Sequence, residues 1–206
     1  MPRTGILLAA LVISAVEHAS AQPVPSTPVA VVTTGLPNVT REWELLVTPT
    51  GSMEPTLGAR TYLLCQPIRL LKTPPSRGEI VAFDITDAYP NGKFSRVAGK
   101  PLQTWISRAV AVAGDRVELT NGELFVNGQL VSEPYADLSG DKTRALASYH
   151  ETVVPADSIY VLSDNRGNSI DSRLSGTLPA AYVKCVVRYI SSAKPGSATA
   201  AQWSPR

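Results

Sequence analysis

Histidine is almost absent from this 206-residue chain: it has two, His18 and His150, and His18 lies in the N-terminal stretch before residue 21. A histidine-dependent serine or cysteine chemistry therefore has one candidate base, His150, in the polar stretch RALASYHETVVP, which reads as a surface loop. Cysteine is equally scarce. Cys65 and Cys185 are far apart, and with one lone histidine they match no zinc spacing, so no metal site is expected. The glycines of RGE, AGD and NG are isolated turn formers and not a phosphate-binding loop, and no cofactor is implied. No block of lysine or arginine occurs and the net charge is +2, which gives no footprint for nucleic acid. Helical periodicity is missing after the N-terminal segment, as are internal repeats.

Long apolar runs are missing too, with one short exception. Arg3 is followed by GILLAALVISAV (5–16) and then by ASA (19–21), the pattern of an export signal cleaved after Ala21. The run is shorter than the ~20 residues that span a bilayer, and Glu17 and His18 close it. An uncleaved anchor is the alternative reading. Export places the chain in a periplasm or at an extracytoplasmic membrane face, where Cys65 and Cys185 are compatible with a disulfide or with two buried thiols. Residues 22–40, rich in Pro, Thr, Val and Ser, read as a flexible tether, and 191–206 as a disordered tail.

What remains, 41–190, is written for strands. WELLVT (43–48), TYLLCQ (61–66), EIVAFDI (79–85), TWISRAVAVA (104–113), SIYVLS (158–163) and YVKCVVRYI (182–190) are β-branched or aromatic runs between turn residues. Asn121-Gly122 and Asn127-Gly128 are hairpin signals six residues apart, which makes 116–131 a three-stranded meander within a small inserted subdomain, 116–157. The fold class is all-β.

Within this pattern TPTGSMEPTL (48–57) stands out. Gly51 and Pro55 prevent an ordinary helix or an inner strand, so Ser52 sits on a sharp turn with its hydroxyl free to face a cleft. A serine needs a proton acceptor to become a nucleophile, and a desolvated lysine is the alternative to histidine. Of Lys72, Lys93, Lys100, Lys142, Lys184 and Lys194, only Lys184 lies in an apolar run, and none stands out as the base.

Four separated boxes now resemble those of the type I signal peptidase family, in the same order. They are TPTGSMEPTL (48–57), RGEIVAFD (77–84), ISRAVAVAGDRVEL (106–119) and SDNRGNSIDSR (163–173), and NGELFVNGQLVSEPY (121–135) is similar to the family's intervening stretch. The resemblance implies a membrane-associated serine endopeptidase with an antiparallel β catalytic domain and a Ser/Lys pair, removing signal peptides after small residues. It implies that Ser52 is the nucleophile and its N–H an oxyanion donor. By the same resemblance Thr50 carries the second oxyanion donor, Ser169 orients the base, and Asp171 and Arg173 brace their loop beside Asp164 and Arg166. Gly114-Asp115 match the turn that closes the base strand. The implied partner is an extended segment of an exported precursor or secretion component, with peripheral membrane contact.

The chain departs from the family at the base. Arg108 and Gly114-Asp115 fix the register, and the residue at the lysine position is Ser107. Ser163 replaces a glycine before Asp164, and Ala113 replaces a proline. A second serine has no useful basicity near neutral pH, and losing the base of a serine hydrolase lowers kcat by about 10⁶. Two expectations follow: a signal-peptidase-type endopeptidase with impaired turnover, or a non-catalytic peptide-binding module of a secretion, pilus or conjugation assembly.

Overall fold

The computed structural model describes residues 42–85, 103–192 and 203–206. The export signal, the tether, and Lys93, Lys100 and Lys194 lie outside the described residues. Among those described, no helix is long and apolar enough to cross a membrane.

The main antiparallel sheet contains β1 (Glu44–Val47), β2 (Tyr62–Pro67), β3 (Ile80–Ile85), β4 (Gln103–Val112), β9 (Ser158–Leu162), β10 (Leu178–Pro179) and β11 (Val183–Ser191). Their order is β1-β2-β11-β3-β4-β9-β10, and β12 (Ser204–Pro205) pairs with β11. A smaller sheet holds β5 (Arg116–Thr120), β6 (Glu123–Val126), β7 (Gln129–Leu130) and β8 (Tyr149–Val153), ordered β7-β6-β5-β8. The described residues are all-β apart from single turns of helix, among them α1 (Lys142–Ala145) and α2 (Ser172–Ser175). Four residues are too few to leave a helical period in the sequence.

The meander at 116–131 forms as its turn residues dictate. Asn121 and Gly122 have φ of 52° and 84°, and Asn127 and Gly128 have 55° and 75°. Positive φ at both central residues is what a tight two-residue hairpin requires, and Asn-Gly supplies it at least strain. The strand that joins this meander is β8, and it contains His150. The surface-loop reading of that histidine is thus corrected: it is exposed, but on a strand of the smaller sheet. A run of polar residues conceals a strand when both of its faces are largely open to water.

Strand alternation divides the main core in two. Val81 and Phe83 of β3 pack with Ala109, Ile159, Val161 and Val186 on one face. Ile80 and Ala82 face the other side, where Ile106, Leu63, Cys65 and Cys185 meet Met53 and Leu57. The turn that carries Ser52 is therefore seated on the sheet by the two apolar residues that follow it. Val110, Ala111, Tyr160 and Leu162 share a third cluster with Val117, Leu119, Leu124 and Val126, so the smaller sheet is packed onto the ends of β4 and β9.

Two further features concern the chain's ends and its cysteines. The disordered-tail reading of 191–206 fails at both margins: Ser191 is buried in β11, and Ser204–Pro205 pair with Ile190 and Tyr189. Trp203 is buried against Trp43 and Leu64, and burial of one large indole anchors a segment whose composition alone reads as loose. Cys65 and Cys185 form a disulfide between neighbouring strands β2 and β11, with Cα atoms 5.5 Å apart, directly beneath Met53 and Leu57.

That crosslink closes a loop of 120 residues. Restricting so long a loop in the unfolded chain contributes about 3–5 kcal/mol. Chemical denaturation with and without a thiol reductant should show a stability lower by that amount when reduced. An unchanged midpoint would mean that the thiols are not bonded.

Candidate functional site

The site is assembled around the segment from Ser163 to Arg173, which leaves the end of β9 and turns into α2. Ser52 occupies the second position of a turn closed by the Glu54 N–H donating to the Gly51 carbonyl at 3.1 Å, and the Glu54–Pro55 peptide is cis. The segment grips this turn through Asn165. Its N–H donates to the Ser52 carbonyl at 3.0 Å, and its Nδ2 donates to the Gly51 carbonyl at 3.2 Å. Ser52 is half-buried. Thr50 is exposed and donates from Oγ1 to Ser52 Oγ at 3.2 Å; the same Oγ1 accepts from the Ser52 N–H at a long 3.4 Å. Thr50 and Ser52 are thus brought together, with both hydroxyls and one backbone N–H on the same small surface.

Ser107 lies mid-strand in β4 and is 1% exposed. Its Oγ faces Ser163 Oγ at 3.4 Å, and Ser163 is itself 2% exposed. Among the described residues, no lysine amine takes the place of a base there. Lys184 sits between Glu44 and Asp84 at 3.7 and 3.8 Å, and Lys142 Nζ donates to the Leu138 carbonyl at 2.6 Å. Lys184 is therefore in a carboxylate environment, contrary to the apolar setting read from its strand. Lys72 is exposed.

Ser169 is held from two sides: its Oγ donates to Asp171 Oδ2 at 3.2 Å and accepts from Arg173 Nη2 at 3.0 Å. Arg173 closes on both Asp171 oxygens, each at 2.8 Å, in a pair whose side chains are 3% and 1% exposed. Burial works against the Arg173 charge, but the bonds and charge of Asp171 outweigh it and hold the guanidinium above its ordinary value. The same carboxylate also accepts the Ser163 N–H at 3.1 Å and caps α2. One carboxylate thus ties Ser163, Ser169 and the helix turn together.

The other two charged residues of the segment pair outside it. Asp164 takes both Arg108 Nε and Nη2, at 2.9 and 2.6 Å, with no exposure of the carboxylate. Arg108 also donates to the Gly78 carbonyl at 2.8 Å and to Thr56 Oγ1 at 3.5 Å, and its guanidinium carbon lies 3.9 Å from the centre of the Tyr135 ring. Arg166 donates to Glu133 at 2.6 Å and to the Ser163 carbonyl at 3.0 Å. The Tyr135 hydroxyl donates to Glu133 at 3.0 Å. Burial, then the Glu133 charge, push the Tyr135 phenol well above its ordinary range, so it stays neutral and donating.

Arg108, Glu133, Tyr135 and Asn165 were not singled out from the sequence as site residues. The motif EPY (133–135) was visible, but nothing in the linear order couples it to a segment some thirty residues later. At the far end of β4, Gly114 adopts a φ of 86° and the Asp115 N–H donates to the Val112 carbonyl at 3.0 Å, closing the strand as the resemblance implied. Asp115 also accepts from Arg77 Nε at 2.7 Å, the Val112 N–H at 2.8 Å and Asn127 Nδ2 at 3.1 Å. His150 lines a shallow depression with Tyr149, Tyr160 and Arg173, which does not include Thr50, Ser52 or Ser107. Among the described residues, no cluster of His, Cys, Asp or Glu could hold a metal ion.

The family described as "Signal peptidase, peptidase S26" matches residues 24–191. A probable signal peptidase I-2 of Synechocystis sp. is 35% identical over 131 residues, which are 64% of this chain and 55% of that protein. A signal peptidase I of Leptolyngbya laminosa is 34% identical over 143 residues, 68% of this chain and 66% of that protein. The match thus spans between about half and two thirds of these relatives' length. A crystal structure of a signal peptidase I from Enterococcus faecalis V583 is 25% identical, with a TM-score of 0.40, and covers 55% of this chain and 97% of that one.

Two outcomes are expected from the charged framework. Asp164→Ala leaves the Arg108 cation buried without its partner and should lower unfolding free energy by about 3–5 kcal/mol, measured by denaturant titration. Burial raises the Asp115 pKa, but the Arg77 bond, the Val112 N–H, the Asn127 amide and the Arg77 charge together hold it below its ordinary value. Its contribution is complete above the unfolded value of about 3.9 and is lost as pH falls through the lower folded value. The acid limb of a stability–pH curve should therefore flatten in Asp115→Asn; an unaltered limb would exclude this residue as a source of acid sensitivity.

Proposed function

Since this chain belongs to the signal peptidase family, peptidase S26, we propose that it keeps the family's peptide-handling site but turns over poorly, because Ser107 stands where the general base is required. The observation that carries this reading is the buried Ser107 hydroxyl facing another hydroxyl, Ser163, in place of an amine. Ser52 is the residue in position to attack, on a turn fastened by Asn165 and seated by Met53 and Leu57. Its N–H and the Thr50 hydroxyl are the donors suited to a developing oxyanion, and Ser169 is the residue that would hold a base in line. Asp164, Arg166, Asp171 and Arg173 brace these groups.

The deficit can be sized from serine hydrolases in general. Losing the proton acceptor lowers kcat by about 10⁶, or about 8 kcal/mol of transition-state stabilisation. Oxyanion donors and peptide binding alone retain on the order of 10³-fold over water. The substrate class would be an extended precursor segment ending in small side chains, met outside the cytoplasm, where the Cys65–Cys185 disulfide persists.

A second reading, a peptide-binding module of a secretion, pilus or conjugation assembly, is favoured by the sheet's edge. Strand β1 ends the sheet and leads directly into the Ser52 turn, and among the described residues no strand pairs with its other side, where an extended peptide needs backbone hydrogen bonds and no base.

Wild-type protein should cleave a precursor peptide with a small-x-small site at a kcat about 10⁶-fold below a lysine-bearing relative assayed alongside. Ser52→Ala should alter peptide affinity by less than about threefold. Rapid turnover abolished by Ser52→Ala would overturn the proposal, and binding with no turnover at all would favour the assembly module.

A further inference from the structure

Strand β1 is a short edge strand, and among the described residues β2 is the only strand paired with it. So short an edge is marginal on its ladder bonds alone, and side-chain contacts must fix where it lies. They come from both faces of the strand. Leu46 lies opposite Leu63 and packs with Met53 and Leu57, the residues that seat the Ser52 turn. Leu45 lies opposite Leu64 and points to the other face, where Trp43 and Leu64 share a cluster with Trp203. One face of β1 is thus anchored by the chain that follows it, the other by a residue far along the sequence.

Trp203 is held in place by the backbone beside it. Ser204 and Pro205 pair with Ile190 and Tyr189 of β11, and the Arg206 N–H donates to the Arg188 carbonyl at 2.7 Å. This part of β11 lies beyond the reach of β3, whose pairing stops at Val186. The segment 203–206 therefore covers a stretch of strand edge and delivers its indole to the face of the sheet opposite the Ser52 turn. Trp203 and Trp43 are 6% and 7% exposed, and the Trp43 ring lies 6.1 Å from that of Tyr189. An indole is large and rigid, and its burial fixes the groups it packs against.

We propose that Trp203 is a positioning residue for peptide binding: packed in one cluster with Trp43 and Leu45, it holds β1 as a preformed edge for an extended peptide. This rests on the reading of β1 as the strand that pairs with that peptide. Ordering a strand at the moment of binding weakens affinity, and an edge already ordered removes that cost. Beyond β1 the chain has its own fastening. The Thr48 N–H donates to the Thr61 carbonyl at 2.9 Å, and the Thr48 carbonyl accepts from the Arg60 N–H at 3.0 Å. The indole therefore governs binding at the edge, and the Thr50 and Ser52 hydroxyls keep their places without it.

The test compares wild type with Trp203→Ala, Trp203→Phe and Leu124→Ala, the last placing a cavity in the cluster of the smaller sheet. Affinity for a fluorescent small-x-small peptide is measured by anisotropy, and opening of β1 by exchange of its hydrogen-bonded amides. Trp203→Ala should weaken binding about tenfold or more, while Trp203→Phe and Leu124→Ala should stay within about threefold of wild type. The β1 amides should exchange at least about tenfold faster in Trp203→Ala and not in Leu124→Ala. An unchanged affinity in Trp203→Ala, or an equal loss in Leu124→Ala, would overturn the proposal. Wild type that binds no peptide would remove the edge reading instead, and β1 exchange would still decide whether Trp203 fixes the strand.

Discussion

The buried pair between Arg108 and Asp164 is the constraint on which the site depends. It joins mid-strand β4 to the residue just beyond β9, and the remaining guanidinium donors reach Thr56 and the turn at Gly78. Three separated parts of the chain thereby take their positions from one cation. The Tyr135 ring covers its face and removes water from it. In such surroundings an unpaired charge is strongly unfavourable, so the arrangement is held as a unit.

Two further guanidinium–carboxylate pairs extend the same logic. Arg166 reaches across to Glu133, and Arg173 folds back on Asp171. Together they clamp the backbone of the 163–173 segment from both sides, and that segment in turn holds the Ser52 turn through Asn165. On the proposed reading, position and reactivity are supplied by different residues: the ion pairs hold the segment, while the hydroxyls at 107 and 163 near neutral pH neither take nor hold a proton as an amine does.

Much of this fold was legible because its strands are short, apolar and bounded by turn formers. The six runs read from residues 43–190 correspond to β1, β2, β3, β4, β9 and β11, and the Asn-Gly pairs correspond to the two hairpin turns. The legible parts of the site were those in local motifs: Ser52 between Gly51 and Pro55, and Asp171 with Arg173 two residues on. Strand β8 was hidden by its polarity, and the docking of Trp203 by the loose composition around it. The partners of Asp164 and Arg166 were hidden as well, since Asp164 pairs with a residue 56 positions earlier and Arg166 with one 33 positions earlier.

What the sequence determined by itself is chemical identity and local geometry: which strands form, where they turn, that Ser52 stands on a turn, and that no lysine stands at 107. These follow from side-chain type and nearest neighbours, whose influence reaches only a few residues along the chain. What only the tertiary structure decided is pairing at a distance. The union of Cys65 with Cys185, the grip of Arg108 on Asp164, and the meeting of Ser107 with Ser163 all depend on the sheet's strand order and register. Burial then makes these encounters matter, because a charge or hydroxyl removed from water must find its partner in the folded chain.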